Sequence, residues 1–273
     1  MKTPKDKLCR LLLWVAILFS LVILLVPIYY MIASSFKTQR QMMDITQLFV
    51  WKPTVKYYKS IFINHDILTP FKNSIIISFG ATALACIFGL PAAYAIARHN
   101  MNKISTIVLC VRIVPAVTFL VPWYMILSKV NMLGTYTAMI LANLLVALPL
   151  VIWIVAPYFG SIPKDLEDAA FIDGCNEAKS FFMVMLPLSG PGVITAAILA
   201  FINAWNNFIF PYVLGGSTAQ TLPVVLKRFI GYTSLDYSTM MAAAVIVAMP
   251  VVLISIVLQK YVVSGLTAGA VKG

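Results

Sequence analysis

Residues 162–191 read IPKDLEDAAFIDGCNEAKSFFMVMLPLSGP. Five carboxylates, Asp165, Glu167, Asp168, Asp173 and Glu177, crowd into this stretch. The whole chain has nine acids, against twenty Lys and Arg and a net charge of +11. The local pattern predicts a helix, a turn and a second helix. Pro163 suits a first turn, and Asp165, Glu167 and Asp168 suit the positive end of a helix dipole. Ala169 and Ala170 extend the helix with side chains small enough for another surface to approach closely. Gly174 fits the left-handed residue that ends a helix. Asn176 fits the N-cap of a second helix, which Leu186-Pro187 closes.

On both sides the polar stretch gives way to apolar blocks, at about 136–159 before it and about 189–212 after it. Further blocks lie at about 11–33, 74–97, 104–127 and 238–260. A block of roughly 20 residues, rising about 1.5 Å per residue, crosses the hydrocarbon core of a bilayer. The chain is 61% hydrophobic and 11% charged, with a mean hydropathy of +0.93. A soluble domain carries about twice that share of charge. The expected fold is therefore all-α, a polytopic membrane protein with six transmembrane helices. It divides into a tail (1–10), one six-span domain (11–260) that contains the 160–187 loop, and a second tail (261–273). Lys2, Lys5, Lys7 and Arg10 precede the first block as in a signal peptide. Its apolar stretch is too long for one, and no A-x-A site follows, so a retained span is expected.

Charge placement excludes several functions. The basic residues stand singly between apolar blocks, as interface flanks do, and form no nucleic-acid stripe. They divide almost evenly between the two sides, so the positive-inside rule scarcely orients the chain. Cys9, Cys86, Cys110 and Cys175 form no CxxC pair and read as small packing residues. No carboxylate falls inside a span, so the ion relay of an ATP-independent secondary carrier is missing. His65 and His99 lie outside the spans, and no HExxH or GxSxG occurs. The run GAVKG at 269–273 lacks the GK-[ST] of a phosphate-binding loop. Neither a membrane enzyme nor an ATPase is expected of this chain, so uphill transport would draw its energy from another subunit.

Polar residues within the spans are the candidates for a substrate path. Asn203, Trp205, Asn206 and Asn207 fall together in the fifth block, and the spacing sets Asn203 near Asn206 and Asn207. Amides hydrogen-bond hydroxyls, and an indole face stacks on a sugar ring. Interhelical hydrogen bonding and an interfacial Trp are the competing account of each, and Asn143 in the fourth block shares that ambiguity. Arg112 is the one formal charge deep in a predicted span. It lines a hydrated cavity, pairs with a partner subunit or snorkels to the interface, and snorkelling is the expectation.

The spacing Asp168-Ala169-Ala170, three residues, Gly174, nine residues, Val184, one residue, Leu186-Pro187 resembles a family pattern. That pattern, E-A-A, three residues, G, nine residues, I-x-L-P, marks permease subunits of binding-protein-dependent ABC importers. Asp168 replaces the Glu and Val184 the Ile, while Glu167 keeps the acidic character. Ser35-Phe36-Lys37-Thr38, Trp205-Asn206 and the tail GLTAGAVKG at 265–273 resemble the smaller six-helix subunit of the maltose-permease type. Asn207 stands where such relatives often carry an acid.

The resemblance implies a type I ABC importer permease that carries sugars, oligosaccharides or polyols. The same machinery for a phosphorylated polyol such as glycerol phosphate is the alternative substrate. Implied partners are a homologous second permease, giving a heterodimer, two ATPase subunits and an extracytoplasmic substrate-binding protein. This chain would bind no cofactor, with ATP and Mg held by the ATPase subunits. Glu167, Asp168, Ala169, Ala170, Gly174, Leu186 and Pro187 would couple it to the ATPase. Asn203, Trp205, Asn206, Asn207, Asn143 and Arg112 would be the substrate-path candidates. The membrane would be the cytoplasmic membrane of a bacterium or archaeon, with the 160–187 loop and both termini on the cytoplasmic side.

Overall fold

A computed structural model of the chain describes residues 4–47, 51–229 and 236–268. Every regular element among them is helical. Four helices are long and apolar enough to cross a membrane, and two sharply bent helix pairs bring the number to as many as six. The described residues gather into two compact units. One comprises the segments up to Asp66 and Leu226–Ala248, the other Ile67–Val225 and the residues from Met249 on.

The first unit opens with α1 (Pro4–Ser35). Its side chains from Leu11 to Tyr30 are exposed around the whole circumference, Trp14 at 65% and Phe19 at 66%. A helix apolar on every side with no buried stripe is solvated by lipid. Beyond it, Thr38 and Gln41 form a reciprocal capping box on a short helix. The Ser35 hydroxyl bonds the Tyr58 hydroxyl of α2 (Lys56–Asn64) at 2.7 Å. Lys37 is buried and lies over the Trp51 ring, 4.3 Å from its centroid. These contacts explain why Ser35, Phe36, Lys37 and Thr38 form a structured corner.

The second unit is built on α3 (Leu68–Arg98), α6 (Tyr136–Ser161) and α9 (Gly190–Asn206). Ala85 and Ala93 of α3, Val151, Val155 and Phe159 of α6, and Ala196 and Ala200 of α9 form one buried core. Small residues allow the close approach that packs helices inside lipid, where no hydrophobic drive separates helix from solvent. A Cβ on Gly89 would meet Val151 Cγ1 at 3.0 Å, and one on Gly192 would sit 2.5 Å from the Tyr158 ring. Polar contacts pin the start of α3. The Asn73 amide donates to the carbonyls of Thr218 and Gln220 at 2.9 and 2.8 Å and accepts from the Tyr136 hydroxyl at 2.7 Å.

The third expected span is not one helix. It is α4 (Asn102–Ile113) followed by a short turn and α5 (Leu120–Lys129), with a 90° bend between the two halves. Pro115 is the cause: it has no amide to donate, and it forces Val114 into an extended conformation (φ −67°, ψ 125°). The fifth expected span also differs from its predicted limits. Gly190–Asn206 is helical, Asn207 is extended (φ −68°, ψ 116°), and a separate helix α10 (Ile209–Leu214) follows. The last helix, α11 (Tyr237–Ala268), carries on through residues 261–268 of the expected tail. The glycine-lysine run at 269–273 lies outside the described residues, as do residues 1–3 of the first tail.

Candidate coupling loop and substrate pocket

The acidic loop folds as its sequence predicts. Helix α7 spans Lys164–Ile172, with Asp165 and Glu167 in its first turn. Gly174 follows at φ +83°. The Gly174 amide donates to the Phe171 carbonyl at 3.0 Å and the Cys175 amide to the Ala170 carbonyl at 2.9 Å. This pair of bonds is the Schellman closure, which needs a left-handed residue where Gly174 stands. Asn176 then caps α8 (Glu177–Leu188), its side chain accepting from the Lys179 amide at 2.8 Å. Phe181–Met185 form a π-turn inside α8. Pro187 and Pro191 withhold amide donors on either side of Ser189, and the chain turns by 81° there into α9.

The two adjacent acids of the motif have opposite roles, because successive residues on a helix point about 100° apart. Glu167 and Ala170 are buried, whereas Asp168, Ala169 and Gly174 are exposed. Glu167 forms an ion pair with Arg98 at the end of α3, Oε2 to Nε 2.7 Å, and accepts the Tyr94 hydroxyl proton on Oε1. Arg98 Nη2 also donates to the Ile162 carbonyl at 3.1 Å. The Tyr94 ring packs against Phe159 and Phe181 at 5.6 and 5.3 Å. Leu186 is half-buried against the same core, while Pro187 is exposed. α7 is thus clamped to α3 on one side. Its other side presents Asp168 and Ala169 together with apolar side chains, Leu166 at 46% and Ile172 at 87% exposure.

Tyr94 and Arg98 were not singled out in the sequence, where Arg98 reads as one more basic flank of an apolar block. Four-residue spacing puts both on one helical face, but nothing local tells that this face meets Glu167.

The substrate-path candidates separate into two groups. Arg112, Asn203, Asn206 and Asn207 line one open pocket of ≈ 680 Å³, walled by apolar residues that include Val146 and Leu199. The Arg112 guanidinium carbon lies over the ring of Trp153 of α6, 3.9 Å from its centroid. It borders the pocket. Trp205 is elsewhere. It is 1% exposed, with its ring stacked on Phe201 and edge-on to Phe71. Its indole face is in the protein core and is not open to a sugar ring. Asn143 is likewise buried, bonding the Met139 carbonyl at 2.8 Å and accepting from the Asn207 amide at 3.0 Å. Asn207 spans both groups, since its Oδ1 also accepts from the Phe210 amide at 3.2 Å and caps α10.

This geometry offers docking and hydrogen bonding. Residues 85–268 match the family described as binding-protein-dependent transport system inner membrane component. The chain belongs to that family.

Relatives cover nearly the full length of the permease. It is 36% identical over 254 residues to the sulfoquinovosyl glycerol transport system permease protein of Agrobacterium fabrum, covering 91% of this chain and 89% of the relative. It is 33% identical over 276 residues to the trehalose/maltose transport system permease protein of Thermococcus litoralis, covering 98% and 99%. Its fold matches a chain of a bacterial ABC transporter involved in the import of the acidic polysaccharide alginate, with a TM-score of 0.81 at 20% identity over 96% of this chain and 99% of that one. The permease is therefore an inner-membrane subunit of a transport system and has the helical fold of ABC importer permeases.

Proposed function

We propose that the permease forms half of the translocation pathway of an ATP-driven importer for sugars, oligosaccharides or polyols. The exposed face of α7 carries this reading. Asp168, Ala169 and Ile172 surround the Gly174 turn, and an apolar side chain 87% exposed on a short charged helix marks a docking surface. The occupant is a cytoplasmic ATPase subunit, one of two in the assembly, which binds the ATP and Mg. A homologous second permease completes the pathway, and an extracytoplasmic binding protein delivers the substrate. The 160–187 loop and both termini lie on the cytoplasmic side. Motion of the ATPase enters at α7 and passes through the Glu167–Arg98 pair into α3.

The saccharide class draws support from the named cargo of the two relatives, and from the amides of Asn203 and Asn206, both open to the pocket. The test is reconstitution of the permease with its partner subunits in proteoliposomes. Uptake of a labelled saccharide should require ATP, the binding protein and an intact α7. Uptake by the permease alone under an ion gradient would overturn the proposal.

A further inference from the structure

We propose that the Arg112 pocket binds a saccharide bearing an anionic oxygen group, with Arg112 as the partner of the anion. The inference rests on the saccharide-import reading and narrows its substrate class.

Arg112 stands ten residues beyond Asn102, roughly 15 Å along α4 at about 1.5 Å per residue. A guanidinium keeps its charge at any physiological pH, so away from bulk water it needs compensation. Trp153 supplies part of it through its ring face. One ring contact at the guanidinium carbon leaves N–H donors for another group.

Among the described residues of Ile67–Val225, no carboxylate pairs with Arg112. Between residues 67 and 225 every acid falls within 165–177, in the coupling loop. Among the described residues the ion pairs there are Arg98–Glu167 and His99–Glu177, and neither reaches Arg112. Asn203 and Asn206 share the pocket, lie three residues apart on α9 and are both exposed. The site therefore offers a planar cation, with no acid partner among the described residues, beside two exposed amides. A fork of parallel N–H groups fits a carboxylate, phosphate or sulfonate in a bidentate manner, and amides fit ring hydroxyls. A neutral sugar would leave the charge uncompensated.

The experiment uses the complete transporter in nanodiscs, without binding protein, so that only the membrane site is read. The probes are four methyl glucosides that differ at carbon 6 alone, with hydroxyl, carboxylate, phosphate or sulfonate. Saturation-transfer NMR should show at least one anionic probe bound about tenfold more tightly than the hydroxyl probe. Arg112→Gln should remove that preference, while Arg112→Lys keeps part of it as a point charge. The three anionic probes tell which group the site takes. Equal binding of all four probes, binding of none, or an undiminished preference in Arg112→Gln would each overturn the inference. Such a result leaves the import reading standing if the same complex drives ATP-dependent saccharide uptake in proteoliposomes. Absence of that uptake would overturn the import reading itself.

Discussion

Arg98 Nε lies 2.7 Å from Glu167 Oε2, joining the last turn of α3 to the buried side of α7. Both side chains are less than a tenth exposed, at 7% and 9%. Removing one member leaves the other charge buried and unpaired, which costs on the order of 3–5 kcal/mol. Glu167→Gln and Arg98→Gln should each lower the thermal stability of the purified complex and reduce uptake more than ATP hydrolysis. The double variant should be less damaging than the sum of the two, because it strands no charge. Additive losses would mean that the pair does not act as a unit.

Gly174 is a backbone requirement, since nothing lies within 4 Å of where its Cβ would be. At φ +83° an L side chain costs about 1–2 kcal/mol. Gly174→Ala should loosen the turn and uncouple ATP hydrolysis from uptake without affecting membrane insertion. Gly174→Asn should be milder, because Asn tolerates the left-handed region better. Gly174→Pro should abolish coupling, and normal uptake by that variant would remove α7 from the coupling role.

Gly192 permits the close crossing of α9 over α6. An added Cβ would stand 2.5 Å from Tyr158 ring atoms, so Gly192→Ala should destabilise by about 1–3 kcal/mol through overpacking. Adding Tyr158→Leu should recover part of the loss. Thermal unfolding in detergent measures both effects, and an unchanged midpoint in the single variant would show that the helices separate at little cost.

Asn207 joins a buried neighbour to the pocket. Asn207→Leu removes the 3.0 Å bond to Asn143 and the 3.2 Å bond that caps α10. Leaving a buried acceptor unmatched costs about 1–3 kcal/mol. The variant should lose both stability and uptake. Asn203→Ala, which breaks no hydrogen bond among the described residues, should reduce uptake at unchanged stability. Loss of stability in Asn203→Ala would reassign that amide to structure.

Local signals sufficed where the controlling physics was local. Apolar blocks named the membrane, since lipid solvates the whole circumference of a helix such as α1 without help from tertiary contacts. The turn at Gly174 and the cap at Asn176 were legible because each is set within a few residues of chain. Pro115 was visible too, but its 90° consequence was not, because a proline inside an apolar block either kinks a helix or ends it according to what packs around it. What only the tertiary structure decided is which face each side chain presents. Glu167 and Asp168 look alike in sequence, yet one is clamped by Arg98 and the other is exposed. Trp205 is buried and Arg112 borders the pocket for the same reason. Composition measures the cost of leaving water, but only the packing of α3, α6 and α9 determines which groups are buried and which face a pocket.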